Sequence, residues 1–184
     1  MIRVMFIFIM LFNIQASDAQ IFGSFKDERD GKSYKTVKID NQIWMAENLS
    51  YESPDSSWCY DDLAKNCKKN GRLYTWEIAL KSCPCGWHLP SKLEFDTLLQ
   101  QLPGDKYTSF VLNDSLKFTF LFSGSRYPDT YYSHLGGAGY LWTSTPSETN
   151  KSYAWLFISN RFYKSLKLSG WDKTWGFSVR CIKD

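Results

Sequence analysis

Five cysteines follow an apolar leader in this chain, and that combination constrains the fold more than any other feature. An exported polypeptide meets an oxidising compartment, where thiols pair. Met1-Ile2-Arg3 carries one positive charge, Val4 to Phe12 is an unbroken apolar run, and Asn13 to Ala19 is polar. It closes on Ser17-Asp18-Ala19, which puts small residues at the two positions a signal peptidase reads. The run is shorter than the ~20 residues of a membrane-spanning helix. Residues 1–19 therefore read as a secretory signal peptide, and no transmembrane helix is expected in the mature chain. No cysteine follows the run directly, which argues against a lipid anchor. The mature protein is expected to be secreted, periplasmic or at the cell surface. Cys59, Cys67, Cys83, Cys85 and Cys181 all lie in it, and an odd number leaves one thiol over. A Cys59–Cys67 bridge would close a loop of about nine residues and stabilise it by roughly 2.5 kcal/mol. Metal binding by Cys83, Cys85 and His88 lacks the spacing of a zinc knuckle, so no metal and no cofactor is expected.

The roughly 165 mature residues suit one domain. Aromatic residues make up 17% of the chain and include eight tryptophans. Such side chains fill cores, and they also build platforms for carbohydrate or peptide. The net charge of +3 is mild, with both signs interspersed. Arg161, Lys164 and Lys167 read as a solvated strand face rather than a phosphate track, so nucleic acid is not an expected partner.

Residues 20–29 form a short lead-in. Ser33 to Ile39 alternates and is rich in β formers; Asp40-Asn41-Gln42 turns the chain, and Ile43 to Ala46 returns, giving a hairpin. Tyr51 to Asn70 reads as loop. Thr75 to Ser82 reads as a helix capped by Thr75, with Trp76, Ala79 and Leu80 on one face, and Pro84 stops it. Ser91-Lys92-Leu93-Glu94 is a capping box, and Phe95, Leu98, Leu99 and Leu102 form the stripe of an amphipathic helix that Pro103-Gly104 ends. No helix is expected beyond it. Lys117 to Phe122 reads as a strand and 123–139 as a long loop. Tyr140 to Thr145, Tyr153 to Ile158, Tyr163 to Leu168 and Phe177 to Ile182 read as strands. A hairpin, two helices, a long loop and terminal antiparallel strands make an α+β arrangement.

Several motifs coincide in order. They are Asp30-Gly31-Lys32-x-Tyr34-Lys35-Thr36-Val37-Lys38-Ile39, Trp44-Met45-Ala46-Glu47-Asn48-Leu49, Gly71-Arg72-Leu73-Tyr74-Thr75-Trp76, Cys83-Pro84-x-Gly86-Trp87-His88-Leu89-Pro90-Ser91, Trp142-Thr143-Ser144-Thr145 and Gly176-Phe177-Ser178-Val179-Arg180-Cys181. Together they resemble the Fibrobacter succinogenes major paralogous domain over residues 30–184. The resemblance implies an exported or surface-displayed bacterial protein with a C-type lectin-like fold. It also implies a bridge from the end of the first helix to the last strand, which Cys83 and Cys181 would make. That bridge would close about 99 residues and contribute roughly 4.5 kcal/mol. Cys85 would be the spare thiol; Cys85–Cys181, two residues away, is the alternative. The segment His88-Leu89-Pro90-Ser91-x-x-Glu94-Phe95 also resembles part of the formylglycine-generating enzymes. Those need a reactive cysteine pair in the second half of the chain, where only Cys181 stands here.

Neither Glu-Pro-Asn, Gln-Pro-Asp nor Trp-Asn-Asp, the calcium motifs of lectins, occurs, and Asp55, Asp61, Asp62, Asp129 and Asp172 form no recognisable calcium loop. Of the two histidines, His88 reads as a satisfied core residue and His134 as exposed; no nucleophile-elbow motif is present, and no enzyme is expected. The candidate ligand-binding residues are Arg126, Tyr127, Asp129, Tyr131 and Tyr132 on the 123–139 loop, with Trp171 and Trp175. Aromatic side chains on a loop held by a rigid scaffold are a common recognition surface. The expected function is non-catalytic recognition of an extracellular glycan or protein. The alternatives are a structural subunit of a surface appendage or envelope assembly and, below that, an enzyme with a lectin-like fold. The exported form is expected to begin at Gln20, and its intact mass checks this: a retained Met1 would remove the export argument.

Overall fold

The computed structural model describes residues 22–184. The signal-peptide reading and its cleavage point lie outside the described residues. Ser33–Ile39 (β2) buries side chains on both faces: Tyr34 packs into one core cluster and Val37 and Ile39 into the other, while Lys35 and Lys38 stay outside. It pairs antiparallel with Gln42–Met45 (β3), the expected hairpin. The lead-in holds a further strand, Phe22–Lys26 (β1), on the other side of β2. Phe25 fixes it there by stacking on Trp87 at 4.4 Å and on Tyr34 at 5.5 Å.

The stretch 51–70, expected as loop, holds a short strand Ser57–Trp58 (β4) and a helix Ala64–Asn70 (α1). The helix has no apolar stripe to announce it. It is held by the Cys59–Cys67 bridge and by Asn66, whose amide donates to the Tyr60 carbonyl at 2.8 Å. Leu73–Tyr74 (β5) leads into Trp76–Ser82 (α2). Thr75 occupies the N-cap position, but its side chain caps nothing; the Trp76 N–H donates instead to the Lys173 carbonyl. Ile78, not Leu80, joins Trp76 and Ala79 in the core, and Leu80 is exposed. Trp87–His88 (β6) precedes Lys92–Gln100 (α3), whose capping box is formed as expected: Ser91 Oγ accepts from the Glu94 N–H, and Glu94 accepts from the Ser91 N–H at 2.7 Å. Phe95 and Leu98 of its stripe are fully buried.

Beyond α3 three expectations fail. A single π-helical turn forms at Thr108–Leu112, where no helix was expected. Lys117 to Phe122 is not a strand. Lys117 and Thr119 adopt positive φ, and the carbonyls of Phe118 and Thr119 accept from Arg180 rather than from a neighbouring strand. The 123–139 segment is a hairpin rather than a loop, Ser123–Arg126 (β7) with Tyr132–Leu135 (β8). Its polar residues misled because they are buried: Ser123 shares a hydrogen bond with Ser178 at 2.8 Å. Gly124 sits at φ +71°, and a Cβ there would meet the Tyr60 ring and the Ser133 carbonyl at 2.6 Å.

Ala138–Pro146 (β9), Tyr153–Asn160 (β10) and Ser165–Asp172 (β11) form an antiparallel meander. The expected strand 177–182 divides into Phe177–Ser178 (β12), parallel to β9, and Ile182–Lys183 (β13), which pairs with β3 and β6. One sheet runs β1-β2-β3-β13-β6 and the other β11-β10-β9-β12-β5-β4. The second is covered on both faces, so β9 and β10 carry continuous apolar runs, Tyr140 to Trp142 and Ala154 to Ile158. Trp142, Leu156 and Ile158 face the α2 side, while Leu141 and Phe157 face α3, where Phe95 stacks on Phe157 at 5.0 Å. The molecule is mixed α+β, and no described helix is long and apolar enough to cross a membrane.

Two disulfides form, Cys59–Cys67 and Cys83–Cys181, with sequence separations of 8 and 98, and Cys85 is free and exposed. They point to an oxidising environment. A Cys83→Ser/Cys181→Ser variant is expected to lose about 4.5 kcal/mol in urea unfolding, against about 2.5 kcal/mol for Cys59→Ser/Cys67→Ser. Equal losses would show that loop length is not what these bridges act through.

Candidate functional site

The turn between β7 and β8 is closed by the Tyr127 N–H donating to the Tyr131 carbonyl at 2.7 Å. This stands the two rings edge to face, 5.5 Å apart. Arg126, one residue earlier, pairs with Gly176 through two backbone hydrogen bonds of 2.8 and 3.0 Å. Gly176 is needed for that approach: a Cβ would lie 3.0 Å from the Arg126 Cβ. The bridge carries Trp175 to Tyr127, with ring centroids 3.9 Å apart, and Trp171 meets Trp175 edge-on at 5.5 Å. Trp175 in turn stacks on the core ring of Phe177 at 5.9 Å. Four of the candidate residues, Tyr131, Tyr127, Trp175 and Trp171, thus form one row of rings anchored in the core at Phe177. Tyr131 is 64% exposed, and the other three are half-buried.

The remaining candidates divide. Asp129 is exposed at the tip of the turn. Tyr132 faces the other way: it packs against Tyr60 at 5.2 Å and donates to Asp62 Oδ1 at 2.7 Å. Burial, reinforced by that hydrogen bond to a carboxylate, pushes its hydroxyl up to about 12. Arg126 is only 8% exposed. Its guanidinium lies 3.9 Å over the Trp58 ring, Nη1 donates to the Tyr127 carbonyl at 3.2 Å, and the buried Nε has no partner among the described residues. Arg126 supports the aromatic row from behind. Trp58, read from sequence as a loop residue, and Asp62, weighed there only as a calcium ligand, are the groups that hold Arg126 and Tyr132. The order Trp58-Cys59-Tyr60-Asp61-Asp62, aromatic and acidic around a half-cystine, was the available signal.

The other potential chemistry is tied up. Asp172 accepts from both the backbone and the hydroxyl of Thr174. Among the described residues no group of three or more histidine, cysteine or carboxylate side chains is placed to hold a metal ion. His134 is exposed, as expected, at φ +67°. His88 is not a core residue: its side chain is 43% exposed, with Nδ1 2.6 Å from Asp184 Oδ1 and Nε2 3.0 Å from Glu94 Oε1. It sits where β6 pairs with β13, and its neighbours are the last residue of the chain and the capping carboxylate of α3. Partial burial would lower its pKa, but the bonds to Asp184 and Glu94 outweigh this and raise it. Burial would raise the pKa of Glu94, and the Ser91 N–H and His88 bring it below its ordinary value.

A histidine with a raised folded pKa contributes stability that is complete below its unfolded value and lost as pH rises through the folded value. A carboxylate with a depressed pKa contributes stability that is lost on acidification. The clasp is therefore strongest between the ordinary values, 4.5 for glutamate and 6.5 for histidine. His88→Gln is expected to lower the melting temperature more near about pH 6 than near about pH 9. An equal penalty at both would mean that charge plays no part.

A family model described as the Fibrobacter succinogenes major domain matches residues 37–111 and 111–183. No curated protein and no solved structure matches the chain. With nearly the whole of the described molecule matched, the chain belongs to the Fibrobacter succinogenes major domain family.

Proposed function

We propose that this protein is an exported, non-catalytic recognition domain with a C-type lectin-like fold, and that it binds an extracellular glycan or protein through its aromatic row. The fold reading is supported by the tie between Cys83, just after α2, and Cys181, just before β13, and by β3 and β13 lying side by side. Export is supported by the apolar leader and the two bridges.

One observation carries the function. Tyr131, Tyr127, Trp175 and Trp171 are continuous, partly exposed and anchored to the core at Phe177. Rings held this way lose little conformational freedom on binding, and they present apolar faces with polar edges to a partner. The acid–base residues offer a weaker case for catalysis. His88 is held between two carboxylates in a clasp that joins β6, α3 and the chain end.

Glycan and peptide arrays probed with the oxidised mature protein test this reading. Tyr131→Ala, the most exposed member, and Trp171→Ala are each expected to weaken the strongest array hit by 1–3 kcal/mol or about 5- to 150-fold. The melting temperature of Tyr131→Ala should stay near that of the parent, while Trp171→Ala, packed beside Phe177, should lower it. Undiminished binding by both variants would remove the aromatic row as the recognition surface.

A further inference from the structure

A second surface feature lies away from the aromatic row. A cleft of about 580 Å³ opens between the start of β2, the segment after β3, and α1. A smaller one of about 240 Å³ shares Lys69 and Leu121 with it, so that the two form a single groove across α1. Five cations line the groove, Lys32, Lys68, Lys69, Arg72 and Arg161, against one carboxylate, Glu47. The chain as a whole has 22 basic and 19 acidic residues, so this imbalance is local. Lys32 pairs with Asp30 at 3.1 Å and Arg72 with Glu52 at 2.7 Å. Lys68, Lys69 and Arg161 have no carboxylate partner among the described residues.

Two further observations point inward. Beneath the groove lies Arg180, fully buried and in no salt bridge among the described residues, with Asp114 and Glu47 acting on it only from a distance. It is held by Asn48 Oδ1 and by the Thr119 carbonyl, and both residues line the groove. A buried cation of this kind adds to the positive potential above it, because a low-dielectric surrounding screens it little. Asn70 lines the smaller lobe; the residue is more than nine-tenths buried, its side-chain amide makes no hydrogen bond among the described residues, and its polar atoms remain open to solvent in the groove.

We propose that this groove binds an acidic polysaccharide, one that carries carboxylates or sulfates along its length. The cations are spread over both lobes, which suits a repeating anion better than a single one. Asn70 and the exposed Ser33 supply groups for sugar hydroxyls between the charges. An acidic peptide fits less well. The strands at the groove, β2 and β3, are interior to their sheet and offer no free edge for strand addition. The site is separate from the aromatic row, and the two stand or fall independently.

The test is calorimetric titration of the oxidised mature protein with oligogalacturonate, sulfated dextran, neutral dextran and poly-L-glutamate, at about 0.02 M and about 0.5 M sodium chloride. One or both acidic polysaccharides should bind, more weakly at high salt, and neutral dextran should not. Lys69→Ala/Arg161→Ala and Lys68→Ala/Lys69→Ala, both altering exposed side chains, should each weaken binding about tenfold or more with melting temperature unchanged. Tyr131→Ala should bind the acidic probes like the parent. No binding of either acidic polysaccharide, unchanged binding by both groove variants, or equally tight binding of poly-L-glutamate would each overturn the proposal.

Discussion

The segment 177–183 belongs to both sheets at once, and the architecture depends on how it is held there. β12 enters the second sheet between β9 and β5, and a few residues later β13 enters the first between β3 and β6. The crossing between them, Val179-Arg180-Cys181, is fully buried. Buried backbone calls for partners, and the carbonyls flanking Arg180 have them: Val179 accepts from the Leu49 N–H and Cys181 from the Met45 N–H. Cys181 is bonded to Cys83, so the crossing is covalently tied to the end of α2. Arg180 is the costly element. Burial draws its pKa down to about 9, against the opposing pull of Asp114 and Glu47, which still leaves it charged at neutral pH, and it forms no salt bridge among the described residues. It is satisfied by Asn48 Oδ1, by the carbonyls of Phe118 and Thr119, and by the Phe118 ring 4.3 Å away. A buried charge with several acceptors is tolerable, whereas one with an acceptor removed is strongly destabilising.

That requirement explains why some of the fold could be read from sequence and some could not. α3 was legible because its signals are local: a capping box, a four-residue apolar stripe and a Pro-Gly stop. β2 was legible because its β formers Tyr34, Val37 and Ile39 stand between two turns, although they are buried on opposite faces. Lys117 to Phe122 carries a stricter alternation, Phe118, Phe120 and Phe122, and yet is no strand. Its carbonyls are committed to Arg180, some sixty residues later in the chain, and no local pattern encodes that. α1 failed for the opposite reason. Its residues, Ala-Lys-Asn-Cys-Lys-Lys-Asn, show no apolar period, and a disulfide rather than packing holds the helix in place. The hairpin of β7 and β8 was hidden because Ser123 and Ser125 are buried against other polar groups, which composition reads as solvent exposure.

The candidate site was legible in its aromatic members and not in their arrangement. Tyr127, Tyr131, Trp171 and Trp175 do come together, because Gly176 lets two backbones meet and so brings residue 175 to residue 127. Arg126 and Tyr132 belong to the same short segment but serve as supports, since alternation along β7 and β8 turns them towards Trp58 and Asp62. The partners of His88 were equally out of reach. Asp184 stands 96 positions away in the chain, and it meets the imidazole only because β13 pairs with β6.

Arg126 and Arg180 follow one rule with different partners. Each is a guanidinium more than nine-tenths buried and in no salt bridge among the described residues, the first held mainly by the Trp58 ring and the second mainly by amide and carbonyl oxygens. A delocalised, weakly hydrated cation can be buried this way at lower cost than an ammonium, which explains why both positions are arginine and not lysine. The supports are structural in both cases. Arg126 closes β7 and turns away from the aromatic row onto Trp58. Asn48 and Thr119, which hold Arg180, also line the lysine-rich groove, and Asp114 and Glu47 offset its charge from a distance. The contacts that make each buried guanidinium tolerable are thus the same ones that shape the surface next to it.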